Sequence, residues 1–126
     1  MKSGDNAVYS DGVLSAKEKS MTVEDVSSDL KEIQYYYAHE KEFARADRIV
    51  GQSNVREKAD RYNAAVRTAP PVLYDLYVSL YVFYNTQTVA AEDMDYSLSH
   101  IKRLNRQLCE FLATALNRGD DEVGSV

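Results

Sequence analysis

The chain has little of what staples, anchors or cuts a fold. Its single cysteine, Cys109, can make no intramolecular disulfide. No basic segment followed by an apolar run opens it, and no apolar stretch is long enough to span a bilayer. A cytoplasmic protein with no membrane partner is therefore expected. The longest apolar run, Val72 to Phe83, is interrupted by Tyr74, Asp75, Tyr77, Ser79 and Tyr81, which suits a helix buried in protein. Chemistry-bearing patterns are also missing. There is no phosphate-cradling glycine loop and no catalytic carboxylate constellation. His39-Glu40 begins like a zinc-binding helix, but Phe43 stands where the second histidine would be. Cys109 has no adjacent histidine and acid to activate it, so packing is its expected role. Neither an enzyme, nor a metal site, nor a cofactor is expected.

What is present fits one folded unit. A chain of 126 residues with 44% hydrophobic and 28% charged residues can bury a core without staples. The net charge of -5 argues against a generic polyanion binder, because such binding depends on clustered lysine and arginine. The distribution is more telling than the total. Residues 97 to 118 hold Lys102, Arg103, Arg106 and Arg118 against Glu110 alone, whereas residues 69 to 96 hold Asp75, Glu92, Asp93 and Asp95 and no base. Positive charge is gathered in one segment.

The pattern along the chain is helical. Residues 1–21 are polar with little apolar spacing and read as an unstructured arm, and residues 119–126 read as a tail. A first helix starts near Thr22 or Ser28, continues through Leu30, Ile33 and Tyr37, and stops at Gly51. Ser53 caps a second, in which Val55, Ala59, Tyr62 and Val66 recur three or four apart until Pro70 and Pro71. These two, over residues 22–68, are expected to pair antiparallel as a helical hairpin or to pair with a second chain. A third, central helix starts at the prolines, with Leu73, Leu76, Tyr77, Leu80 and Tyr84 as its stripe. The fold class expected is all-α.

The segment from Thr86 to Leu108 reads as a short helix, a turn and a longer helix. Ala91 is small enough to let the two helices approach, and Met94, Tyr96, Ile101 and Leu104 are the expected locks of their crossing. Ser97 or Ser99 caps the second helix. At about 100° per residue, Leu104, Leu108, Phe111, Leu112 and Ala115 fall within roughly 80° of Ile101, while Ser99, Lys102, Arg103 and Arg106 fall roughly 100° to 200° away. One face packs and the other is basic. A helix that reads DNA needs that division, one face for its scaffold and one for base edges and phosphates. Ser99, Lys102, Arg103 and Arg106 are therefore the candidate DNA-binding residues, and double-stranded DNA the candidate partner. His100 lies beside them.

The stretch from Pro70 to Leu112 resembles region four of bacterial sigma factors and the small phage and prophage regulators built on it. Pro71, the Leu73 to Tyr84 helix, Thr86-Gln87 and Ala90-Ala91 occupy the places of that family's proline-led helix, the opening pair of its motif and its apolar-alanine packing pair. Two positions depart from the pattern: Val89 stands where the family often has glutamate, and Asp95 where it commonly has glycine at the turn. Aspartate tolerates the left-handed backbone better than most residues, so the turn is expected to survive. The resemblance implies a sigma-like helix-turn-helix over residues 69–118, promoter or operator binding, and contact with RNA polymerase. Two other functions use the same helices differently: a phage-type module that binds a host protein, and a multimeric viral DNA-packaging component.

The tyrosines, 10 in number, suit a stacking platform for single-stranded nucleic acid less well than a core whose hydroxyls reach the surface. Tyr62, Tyr77 and Tyr84 are expected in the core. Tyr35, Tyr36 and Tyr37 cannot all face one way, so at least one is exposed or at an interface. With Phe43 and Tyr62 they give the hairpin more apolar area than one small sigma-like unit covers, so a homodimer is expected.

Overall fold

The computed structural model describes residues 20–51 and 54–125, with side chains given as far as Arg118. Among them every regular element is helical and there is no strand. The elements are α1 (Val23–Ala38), α2 (Glu40–Val50), α3 (Asn54–Val66), α4 (Pro71–Tyr77, widening into a π-helical turn over Val78–Val82), α5 (Gln87–Met94) and α6 (Leu98–Ser125). No helix among the described residues is long and apolar enough to cross a membrane.

Thr22 starts α1 with a capping box: its hydroxyl accepts from the Asp25 amide at 3.1 Å, and Asp25 accepts from the Thr22 amide at 3.1 Å. The expected arm extends over residues 1–21; as far as position 19 it lies outside the described residues. Met21 is not free: its amide donates to the Asn117 side chain at 2.7 Å, tying the start of α1 to α6.

The helix expected to run to Gly51 breaks at His39, where φ is −123° and ψ 35°. The His39 amide reaches both Tyr35 and Tyr36 carbonyls, and its Nδ1 lies 3.0 Å from the Tyr35 oxygen with the ring stacked on Tyr35. The break separates α2 from α1, and α3 is tied to α1 by Lys58 on Asp29 and Glu32, the Tyr62 hydroxyl on Asp29, and Asn63 on the Tyr37 hydroxyl.

Pro70 caps α4 and Pro71 opens it, where the missing amide costs no helical bond. In the π-helical turn the Phe83 amide bonds to the Val78 carbonyl, and the freed Leu80 carbonyl accepts from Gln34 of α1 at 2.9 Å. The wider turn moves the buried stripe. Leu73, Leu76, Tyr77 and Leu80 are buried as expected, but Tyr81 takes the place expected for Tyr84. Tyr84 is instead 60% exposed, with φ at 62° in the left-handed region as the chain leaves the helix.

The buried side chains of α1, α3, α4, α5 and α6 form one continuous cluster, with Tyr62, Tyr77, Leu30, Ile33, Leu76, Ile101 and Leu108 fully enclosed. α4 with its π turn lies at the centre, touching α1, α3, α5 and α6. Buried tyrosine hydroxyls find acceptors: Tyr62 on Asp29, Tyr77 on Asn63 and Tyr81 on Asn105, at 2.6 to 2.7 Å. α2 contributes no buried residue. The backbone of α6 continues as helix through residues 119–125, which the sequence assigns to a tail. Adding a residue to an existing helix gains a bond without a new nucleus.

Candidate nucleic-acid interface

Two short-range caps and one tight turn position the segment after α4. Thr86 caps α5, its hydroxyl accepting from the Val89 amide at 3.1 Å. α5 ends at Asp95, where φ is 62° and ψ 44°. Around it the Tyr96 amide bonds to the Ala91 carbonyl at 2.9 Å and the Asp95 amide to that of Glu92 at 3.3 Å. This pair satisfies two carbonyls at the end of the helix and reverses the chain within a few residues. Ser97 then caps α6, accepting from the His100 amide at 3.1 Å. Of the two serines expected as caps, Ser97 serves, and Ser99 sits exposed in the first turn of α6.

Small side chains seat α5 closely. Ala90 is fully buried and Ala91 nearly so, and on α6 Ile101, Leu104, Leu108 and Leu112 enter the core. Met94 packs against it at the edge. Tyr96 does not lock the crossing as expected. It is 40% exposed and meets His100 edge to face at 4.5 Å, because the turn at Asp95 directs it out along the start of α6.

The opposite face of α6 carries Lys102, Arg103 and Arg106, all exposed. Among the described residues none of the three is ion-paired to a carboxylate. Arg103 instead lies 2.8 Å from His100 Nδ1. A guanidinium only donates, so this bond uses Nδ1 as an acceptor and leaves the arginine's full charge facing outward. Glu92, Asp93 and Asp95 are exposed at the end of α5 and in the turn, so along the chain the acidic groups precede the reversal and the basic ones follow it.

The sequence did not single out a polar cleft beside this face. Ser27, Lys31 and Gln34 of α1, Leu80 and Tyr81, Asn85 to Gln87, and Asn105 line about 260 Å³. Asn105 holds the Tyr81 hydroxyl, and burial pushes that tyrosine's pKa up to about 12 despite the hydrogen bond. Asn105 falls about 40° from Ile101 on the wheel, a polar residue on the packing side of α6. Its position was the one signal of the cleft in the sequence. Lys31 gave none, because its approach to α5 depends on the fold of α1 against the π turn. Cys109 is buried and its thiol is pushed up by burial, which disfavours the reactive thiolate. Comparisons with protein-family models, with curated proteins and with solved structures find no match for this chain.

Proposed function

We propose that this chain is a sequence-specific DNA-binding transcription regulator in which α5 and α6 act as a helix-turn-helix. α6 enters the major groove, with Lys102, Arg103 and Arg106 on phosphates or guanine edges and Ser99 on the backbone near the helix start. The observation that carries this reading is the division of α6: one face fully committed to the core, the other holding three cations with no carboxylate paired to them among the described residues. A close pair of alanines and a left-handed turn residue join α6 to α5 at the short range such a motif needs. The acids at the end of α5 disfavour docking through that end, since phosphate repels Glu92 and Asp93. The sigma region-four resemblance of Pro70 to Leu112 points to the same activity, with RNA polymerase as a further partner.

Exposed Tyr74, Phe83 and Tyr84 favour a second reading, a protein-interaction module. With Met94 and Asp93, Tyr74 and Phe83 border a shallow depression of about 320 Å³. Selection of bound sequences from a pool of random duplexes separates the two. Enrichment of a shared motif supports the DNA reader, and recovery of unenriched sequence favours the interaction module.

A further inference from the structure

The π-helical turn of α4 opens a pocket that no residue of α5 or α6 lines. In that turn the Phe83 amide bonds to the Val78 carbonyl, so Phe83 rather than Val82 stands one turn on from Val78. Phe83, 68% exposed, and Tyr74, 42% exposed, form a ridge at the surface. On one side of the ridge is the shallow depression at Met94 and Asp93. The other side closes against α1 and the end of α3 around about 260 Å³, with buried Val66 and Tyr77 as its floor. Turns of this kind inside α-helices are frequent at functional sites.

The side-chain polar groups of the pocket have protons left to offer. Tyr77 donates to the Asn63 side-chain oxygen at 2.6 Å, and the Asn63 amide donates to the Tyr37 hydroxyl at 2.8 Å. That chain uses Tyr37 as an acceptor, and among the described residues nothing accepts the proton of its own hydroxyl. Arg67 is the one charged residue in the lining, and among the described residues no carboxylate pairs with it. Asp75 lies across the ridge, in the neighbouring depression. One cation and a neutral donor thus stand among apolar and aromatic walls, the composition by which small-ligand sites fix an amphiphilic molecule.

We propose that this pocket binds a small aryl carboxylate, with the ring between Val82 and the Tyr74–Phe83 ridge, the carboxylate on the Arg67 guanidinium and the Tyr37 hydroxyl as a second donor. The planar guanidinium offers two parallel N–H groups that match a carboxylate, and one cation balances one negative charge. A phosphate dianion would bring a second charge to walls that hold no second cation. The volume falls just short of the roughly 300 Å³ at which sites for drug-sized ligands begin, so it suits a single ring. A ring seated there covers aromatic area that now faces water. The site stands on α1, α3 and α4 and does not depend on what α6 binds.

The full chain is titrated with phenylacetate, and in parallel with phenylacetamide, acetate and inorganic phosphate, by calorimetry and by the amide shifts of the isotope-labelled protein. Phenylacetate should bind saturably with a Kd on the order of 1 mM or tighter, moving the amides of Asn63, Arg67, Tyr74 and Phe83. The other three should each bind roughly tenfold more weakly or worse, because they lack the charge or the ring. Arg67→Gln should weaken phenylacetate by roughly tenfold and abolish its preference over phenylacetamide, with melting temperature little changed because the side chain is exposed. Phe83→Ala should weaken phenylacetate and phenylacetamide alike. Arg61→Gln, exposed on α3 but outside the pocket, should change neither. No saturable phenylacetate binding up to about 10 mM would overturn the proposal. So would phosphate binding as tightly as phenylacetate, or an Arg67→Gln variant that binds phenylacetate as the wild type does.

Discussion

Replacing Asp95 by valine strains the reversal between α5 and α6 without touching the core. Asp95 is exposed, makes no side-chain hydrogen bond shown by the structure, and holds φ at 62°. An L-residue in the left-handed region loses about 1–2 kcal/mol, and a β-branched one is an outlier there. Asp95→Val should therefore destabilise the fold by about 1–2 kcal/mol, roughly 4 °C in melting temperature per kcal/mol for a chain of this size. Asp95→Gly removes the strain but adds freedom to the unfolded chain, and the two nearly cancel, leaving a change within about 1 kcal/mol. Tyr84 provides an internal control with the same φ of 62° and a ring 60% exposed. Tyr84→Gly should stabilise by up to about 1 kcal/mol, because tyrosine tolerates that backbone less well than aspartate. Chemical denaturation followed by circular dichroism measures all three. If valine at position 95 is tolerated as well as glycine, the turn does not depend on the left-handed residue and the geometry assigned to the α5–α6 junction is wrong.

The two faces of α6 should separate in their effects. Ile101→Ala or Leu104→Ala should cost about 2–5 kcal/mol by opening a cavity, read as a fall in denaturation midpoint. Alkaline stability follows from the buried phenols: burial raises the pKa of Tyr62, Tyr77 and Tyr81, the last to about 12. Above about pH 10 the unfolded chain releases phenolic protons that the folded chain retains, so stability present below pH 10 should fall as pH rises towards 12. Denaturation midpoints measured across that range, with tyrosinate absorbance followed in parallel, check the sign. Cys109, 4% exposed, should resist a thiol reagent in the native protein and react at the rate of unfolding; fast native labelling would contradict its burial.

The parts of this structure legible in the sequence are those governed by neighbours a few residues apart. Pro70 and Pro71 mark the start of α4, Thr86 marks α5, and the alternation of Ile101, Leu104 and Leu108 with Lys102, Arg103 and Arg106 gives both faces of α6. Asp95 was legible as the turn because few residues accept that backbone. The break at His39 was not, since neither proline nor glycine marks it. Nor was the π turn, whose extra residue shifts burial from Tyr84 to Tyr81 and whose spare carbonyl is met by Gln34, 46 positions away. The same non-local packing puts Lys31 beside the start of α5 and separates the tyrosine run: Tyr36 goes into the core, Tyr37 to Asn63 and Tyr35 to solvent.

Whether the exposed cations of α6 hold DNA is decided by one titration. A selected duplex is titrated with the wild-type chain and with the Arg103→Ala/Arg106→Ala double variant across a range of salt concentrations, after confirming that both melt alike. The wild type should bind, and the variant, equally stable, should bind more weakly. For each phosphate that the variant no longer neutralises, the slope of log affinity against log salt should become shallower by about 0.9. For each base edge that it no longer reads, binding should weaken by about 1–3 kcal/mol and sequence preference should relax. No binding by the wild type at low salt, or equal binding by the double variant, would contradict the assignment of DNA to this face.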